Sequence, residues 1–419
     1  MEIVVLGAAR QVGRSAFYIK GGGARILLDF GVLTSREPAF PIHVPPKEVD
    51  AVLLTHAHLD HSGAIPLLYV SEEMPTYTTP ITAETTQLLI KDFLQISGFY
   101  LPFEYVDLMT MMKHTVHVEW REEYRIKGDL KAAFYDAGHI PGSSLIVVEA
   151  DGKRLAYTGD INLKGSNLVR GADLDFGEVD VVITESTYAQ ADHPPREEVE
   201  REFVEYAKEV VERGGVLLVP AFSVGRAQEI ACTLYAHRFP YPVAMDGMAL
   251  DANEIMLRHL NYLKNPKLFV KALNNVEKVS GWGRRKRLVK TPGVIISPAG
   301  MLVGGAAVFY TSEVAKSAKN AIAIVAFQVP GTPGRTLLDK GLAVINGRVK
   351  KSKAEIRRFD FSAHGGRSDL FEIFERIKGD PTVIAVHGEP ESCVSFAQEL
   401  HEKYGFETHA PKAGARFKV

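Results

Sequence analysis

Two rhythms of apolar and polar positions run along the chain. From Glu2 to about Ser186, short apolar runs are joined by glycine turns: IVVLG, SAFYIKGGGARILLDFG, AVLLTHAH, KAAFYDAGH, SLIVVEADGKRLAYTGD and VVITES. Their alternation predicts strands, with hairpin turns at Gly21-Gly22-Gly23 and Asp151-Gly152. Helical spacing at 84–93 and 103–112 falls between strands, so the expected product is a sheet sandwich with helices outside. Beyond Pro194-Pro195, helices alternate with strands. Helix 197–213 (Val199, Phe203, Tyr206, Ala207 and Val210 on one face) precedes strand VLLVPAF and helix 228–237. Strand PVAMD, helix 254–263, strand GVIIS, helix 306–316 and strand AIAIVAF follow. That alternation argues for a separate α/β unit with a parallel sheet. After Phe327 a β pattern is expected to return, with Asn346-Gly347 turning a hairpin, before strand TVIAVH and helix 393–404 close the chain. An α/β segment is thus inserted between two β-rich ones.

Residues 291–312 carry no charge over 22 positions, long enough for a membrane span. Pro298 and glycines 293, 300, 304 and 305 break the stretch into a strand, a tight loop and a helix start, so a buried core element is expected and no membrane partner.

Composition narrows the function classes. The 419 residues allow two or three domains, and 46% hydrophobic with 24% charged residues is ordinary for a globular chain. Forty-nine Lys+Arg against 51 Asp+Glu give a net charge of −2. A polyanion would therefore have to be held by a local basic surface, which excludes a histone-like mode. Cys232 and Cys393 are too few for a disulfide framework or an all-cysteine metal site and fit a reducing compartment; the cytoplasm is the expected location. The N-terminus, without a basic region or a long apolar core, does not read as a signal peptide.

The chemistry concentrates in His56-Ala-His58-Leu-Asp60-His61, directly after the apolar run AVLLT. On an extended chain His56 and His58 point the same way, so both imidazoles reach one ion, and Asp60 and His61 are placed to hold a second. Imidazole and carboxylate ligands suit zinc, and a two-metal site needs further ligands plus a bridging carboxylate. Strand ends supply them: Asp29 ends ILLD, His139 ends AFYDAGH, Asp160 ends LAYTGD, Glu185 ends VVITE and His387 ends VIAVH. Each alone reads equally well as a turn residue or a hydrogen-bonded histidine; five such placements beside the histidine cluster favour a site.

This set resembles the metallo-β-lactamase superfamily: a motif aspartate (Asp29), an HxHxDH cluster (His56 to His61), a later histidine (His139) and a later aspartate (Asp160). More narrowly it resembles the β-CASP branch of nucleic-acid-processing nucleases, through Glu185 in TESTY, the insert that follows, Asp360-Phe361-Ser362-Ala363-His364, and His387 in VHGEP. PAFSVGRAQE (220–229), SPAGML (297–302) and GTPGR (331–335) are similar to strings of the branch that includes ribonuclease J and the cleavage-and-polyadenylation endonuclease. The departures, GAARQVGRS near the N-terminus and DFG at 29–31, touch no ligand.

The resemblance implies an α+β fold: a metallo-β-lactamase αββα sandwich from residues 1–189 and 356–419, with a β-CASP insert at 190–355. It implies two Zn2+ per chain. His56, His58 and His139 would hold one, Asp60, His61 and His387 the other, with Asp160 bridging and Asp29 orienting ligands from behind. His364, backed by Glu185, would protonate the leaving oxygen, so that Asp60, Asp160, Glu185 and His364 form the catalytic set. The implied activity is RNA phosphodiester hydrolysis by a two-metal activated hydroxide, leaving 5′-phosphate and 3′-hydroxyl ends, in RNA 3′-end processing or 5′-to-3′ decay. Histidine at 387, where DNA-repair members carry valine, favours RNA as partner. Ser297, Gly300 and Gly304, opening a helix, and Ser362 are candidates for substrate phosphate. The run Arg284–Arg287 beside Trp282 reads either as an RNA-backbone grip or as a solvated helix face. Two other readings stand beside the ribonuclease: a small-molecule metallo-hydrolase, which needs neither insert nor His364/His387 pair, and a non-catalytic RNA-binding scaffold, which the filled ligand set opposes. Endonuclease against exonuclease, the RNA target and a homodimer are left open.

Overall fold

In the computed structural model, which describes residues 1–34, 37–329 and 331–419, the chain separates into two compact units. The first comprises Met1–Gly165, Arg170–Asp192 and Ala363–Val419; the second comprises Ser166–Val169 and His193–Ser362.

Two seven-stranded sheets form the first unit. One runs in the order Arg416–Lys418, Glu2–Val5, Ala16–Gly21, Ala24–Phe30, Ala51–Leu53, Thr76–Thr78, Thr115–His117. The other runs Thr408–His409, Thr382–Val386, Val181–Glu185, Lys153–Tyr157, Ser144–Ala150, Leu130–Asp136, Glu123–Lys127. Side chains of opposite parity face opposite layers. Ile26 and Leu28 meet Phe134, Ile146 and Val148 in the core between the sheets, whereas Leu27 and Val52 pack outward with Ile90, Phe93 and Leu108 of the helices Pro80–Ser97 and Tyr105–Lys113. On the other side Val147, Val182 and Ala385 pack with Phe371, Phe374 and Phe396 of Arg367–Arg376 and Pro390–Tyr404. The layers are the expected αββα. Because both faces of Ala24–Phe30 are apolar, polarity does not set its register. The two-residue hairpin does, with Gly22 and Gly23 at φ 58 and 77, angles that a type I′ turn requires and glycine adopts without strain.

Strand direction places the chemistry. Leu130–Asp136, Lys153–Tyr157, Val181–Glu185 and Thr382–Val386 all run the same way, as do Ala24–Phe30 and Ala51–Leu53 in the facing sheet. The C-terminal end of each strand therefore opens onto one rim of its sheet.

The second unit carries a six-stranded, all-parallel sheet ordered Val276–Lys278, Val243–Met245, Gly293–Ser297, Val216–Pro220, Ala321–Ile324, Glu355–Arg358. Apolar clusters cover both its faces. Its limits differ by a few residues from 190–355. The strand Glu355–Arg358 pairs with Ala321–Ile324 and belongs to this sheet, and Ser166–Val169 joins through the buried carboxylate of Glu229. That carboxylate accepts the N–H groups of Asn167 (3.1 Å) and Leu168 (3.0 Å) and an Arg196 N–H (2.8 Å).

Local readings shift in places. The helix expected at 254–263 is Ala249–Arg258, followed by a turn at Leu260–Tyr262, because the small residues Ala249 and Ala252 continue the buried face of Ile255 and Met256. Pro266–Asn274 is an unforeseen helix, capped by Asn265 on the N–H of Leu268. The β pattern expected after Phe327 is preceded by a helix, Pro333–Lys340, whose Thr332 cap, first-turn proline and left-handed Gly341 are ordinary start and stop signals. Residues 291–312 form the strand Gly293–Ser297 and the helix Gly305–Val314, and among the described residues no helix is long and apolar enough to cross a membrane.

Candidate metal centre

All the sequence-derived metal ligands lie in the first unit and converge. Ligand atoms of His56, His58, His139 and Asp160 form one compact group, those of Asp60, His61 and His387 a second, and those of Asp160, Glu185 and His387 a third. The route differs from extended-chain geometry. The strand Ala51–Leu53 stops three residues before His56, and His58 caps the short helix Leu59–Ser62. His56 and His58 meet through that bend, with His56 Nε2 and His58 Nδ1 3.2 Å apart and His139 Nε2 also 3.2 Å from His58 Nδ1.

Hydrogen bonds behind the rings fix which nitrogen faces inward. His139 donates its Nδ1–H to Ala363 O (2.9 Å). The hydroxyl of Thr55 donates to Asp29 Oδ2 (2.8 Å) and so accepts from His56 Nδ1 (3.0 Å). His56 and His139 thus present Nε2, each 3.5 Å from Asp160 Oδ2. Burial, reinforced by the neighbouring imidazoles, holds the pKa values of His56 and His139 well below the usual histidine value; burial also lowers that of His58, so all three rings are neutral at pH 7, the form that can donate to a metal.

Asp29 organises the other side. At φ 56, a left-handed conformation uncommon outside glycine, it is fully buried and accepts the N–H of Thr55 (2.8 Å), His61 Nδ1–H (2.7 Å) and the Tyr157 hydroxyl (2.8 Å). His61 Nε2 is thereby aimed at Asp160 Oδ1 (3.2 Å). Burial opposes charge on His61, but the Asp160 and Asp29 carboxylates flanking it outweigh burial and raise its pKa well above normal. His387, also left-handed at φ 48, follows its strand directly, donates its backbone N–H to Ala8 O (2.8 Å), and sets Nε2 3.3 Å from Asp60 Oδ2 and Nδ1 3.4 Å from Asp160 Oδ1. Burial alone would raise Asp160; His387, His61 and His364 around it hold its carboxyl well below the carboxylate range.

An ionised carboxylate set among the neutral rings of His56, His58 and His139 and the more basic ring of His61, with Oδ1 buried and making no hydrogen bond among the described residues, suits a site that binds cations and shares this carboxylate between them. The donor set fits two such ions.

Glu185, last residue of its strand, accepts the N–H of Ile161 (2.7 Å) and, through Oε2, the Nδ1–H of His364 (2.9 Å). His364 Nε2 lies 4.0 Å from Asp160 Oδ2. Burial works against protonation of His364, but the Glu185 and Asp160 carboxylates outweigh it and push the pKa up to about 9.

The sequence reading missed Thr55, Tyr157, Ser15 (Oγ 3.3 Å from His61 Nε2) and Thr187, whose hydroxyl donates to His387 O (3.0 Å). Thr55, adjoining the histidine motif, was the one open to inspection. Ser297, Gly300, Gly304 and Ser362 lie in the second unit. There the Ser297 hydroxyl donates to Pro298 O (3.0 Å), and Gly300 O accepts from Gln328 (2.9 Å).

Residues 9–208 match the metallo-beta-lactamase superfamily, 227–337 the Beta-Casp domain and 351–411 the Zn-dependent metallo-hydrolase RNA specificity domain. RNase aCSPSF2 of Saccharolobus solfataricus is 41% identical across 99% of this chain and 85% of its own length. Probable RNase MJ4 of Methanocaldococcus jannaschii is 35% identical across 100% of both, and transcription termination factor FttA of the same organism 34% across 98% of this chain and 70% of its own. A crystal structure of a protein of unknown function from Enterococcus faecalis V583 superposes with a TM-score of 0.65 over 99% of each chain at 17% identity and shares the fold. The chain belongs to the metallo-β-lactamase superfamily. Within it, the Beta-Casp match and the full-length relatives put it in the β-CASP ribonuclease branch.

Proposed function

We propose that this chain is a zinc-dependent ribonuclease that hydrolyses RNA phosphodiester bonds and leaves 5′-phosphate and 3′-hydroxyl ends. The observation that carries this reading is the convergence of seven ligand residues on and around Asp160 beside a histidine charged by its own carboxylate partner. In it His56, His58 and His139 would hold one ion and Asp60, His61 and His387 the other, with the Asp160 carboxylate available to both. When bound, the ions supply a nucleophilic oxygen at neutral pH and positive charge against the phosphoryl group. The chain's own groups do the rest. Asp29 holds His61 and, through Thr55, His56 in register. His364 keeps a proton on Nε2 at neutral pH and gives it to the departing ribose 3′-oxygen, a poor leaving group without it. Glu185 orients and charges that ring. The names of the relatives, RNases and transcription termination factors, support RNA as substrate and a place in 3′-end processing or decay.

RNA labelled at one end and carrying a 5′-monophosphate or 5′-triphosphate tests the reading. Expected products end in 3′-hydroxyl and 5′-phosphate, form only with metal present, and vanish on chelation until zinc is restored. Products ending in 2′,3′-cyclic phosphate, or cleavage indifferent to chelation, would overturn it.

The backbone around the ligands gives a second test. A Cβ on Gly31 would lie 1.8 Å from Asp60 O and 2.1 Å from Asp60 C, so Gly31→Ala has to push the backbone that carries Asp60 and His61. It should cost about 3 kcal/mol and lower zinc content, read by thermal melting and metal analysis; a variant that loses stability yet keeps full metal would contradict the role of this backbone in placing Asp60 and His61.

A further inference from the structure

We propose that the second unit carries a binding face for single-stranded RNA, built on Trp282 and separate from the metal ligands. This deepens the ribonuclease reading and rests on it. Trp282 is the second residue of the helix Gly281–Leu288 and is 57% exposed, large for a tryptophan in a protein with only two. Its ring is fixed from two sides. Phe309 meets it edge-on, with centroids 5.3 Å apart and planes at 86°. The Arg285 guanidinium lies 5.0 Å from the ring centroid, anchored by two hydrogen bonds to the buried Asp246 (2.7 and 2.9 Å). A rigid, solvent-facing indole backed by a guanidinium is a stacking platform for an unpaired base.

The helix that carries it has side-chain charge of one sign. Residues 281–290 hold five basic side chains and no acid. Arg284 is engaged by Glu277 and Arg285 by Asp246, while Lys286, Arg287 and Lys290 are exposed. The hairpin Leu342–Ile345/Arg348–Lys351 adds Arg348 and Lys350, both exposed; residues 342–353 hold four basic side chains and again no acid. The helix Gly305–Val314 joins the two segments. Its Phe309 touches Trp282, and its Ser312 hydroxyl accepts the N–H of Asn346 at the hairpin tip (3.1 Å). In a chain of net charge −2, two acid-free basic segments beside an exposed aromatic match a phosphate backbone with unstacked bases. Exposed Val308, Val344 and Val349 lie among these cations, and it is the acid-free run of basic side chains beside the indole that favours a phosphate backbone over a protein partner.

Stopped-flow quenching of tryptophan fluorescence by a 24-nucleotide single-stranded RNA, read before cleavage, tests the proposal. The quench should disappear in Trp282→Phe if Trp282 is its source, while Trp282→Phe, still able to stack, should bind within about threefold of the parent. Trp282→Ala should raise Kd and KM about tenfold with kcat unchanged. Lys286→Ala with Arg287→Ala should reduce the slope of log K against log salt by about 1.4. A duplex of the same length should gain nothing from Trp282. A quench that survives in Trp282→Phe, or an unchanged Kd in Trp282→Ala, would overturn the proposal and give the face to a protein partner. Failure of the parent to cleave RNA would instead overturn the ribonuclease reading, which the quench does not measure.

Discussion

His364→Ala should retain both metal ions and near-parent RNA affinity while losing about 10²–10⁴-fold in turnover. The reason is that His364 is bound to Glu185 through Nδ1 (2.9 Å) and stands outside both metal-ligand sets. The defect should depend on the leaving group: a substrate whose scissile 3′-oxygen is replaced by sulfur departs without the proton, so variant and parent should cleave it at similar rates. Glu185→Gln should show a milder form. The pH profile carries the sign. The acid is active while protonated, and with its pKa pushed up to about 9 turnover should hold through neutrality and fall as pH rises through that region, somewhat earlier once cations at the neighbouring ligands add their repulsion. The same raised pKa contributes stability that is fully present below the unfolded histidine value of about 6.5 and is lost as pH rises toward 9. In Glu185→Gln the basic limb should move to lower pH. Loss of zinc from His364→Ala, or equal defects on the oxygen and sulfur substrates, would make His364 a ligand or a structural residue.

His58→Ala combined with Asp60→Ala should reduce zinc from about two per chain to below one and abolish cleavage. Each substitution removes an inward-facing donor from a different group. The remaining imidazoles, now unbalanced around the buried Asp160 carboxylate, hold a lone cation poorly. Metal analysis after extensive dialysis reads the result directly, and zinc retained at the parent's level would end the assignment of these residues as ligands.

The clustering of these side chains was legible because metal-donor residue types recur at or just after the ends of apolar runs. His56, His58, Asp60 and His61 are near neighbours in sequence, and His139, Asp160, Glu185 and His387 each follow or end an apolar run. What sequence could not supply was who stands behind them. Tyr157 reaches Asp29 across 128 positions and Ala363 reaches His139 across 224. Such pairs exist only once sheet order is known, and sheet order depends on pairing that local pattern does not encode. Short elements escaped for a different reason. Strands of three residues such as Thr76–Thr78 and Val276–Lys278 offer too few positions for alternation to register, and Ala249–Arg258 hid its apolar face in alanines.

The short segment Ser166–Val169 bears on how far the second unit can be treated as a portable cassette. By sequence it belongs with the first unit, yet Glu229 takes its N–H groups, and Asn167 further donates to Glu200 (2.7 Å). The chain thus passes between units at four points, not at the two a simple insertion needs. Excised at 193–362 alone, the unit would keep a buried carboxylate stripped of the Asn167 and Leu168 backbone N–H groups and of the Asn167 amide, a loss on the order of 1–3 kcal/mol for each unmet hydrogen bond. Exchange of this unit between relatives would therefore succeed only when those four distant residues travel with it.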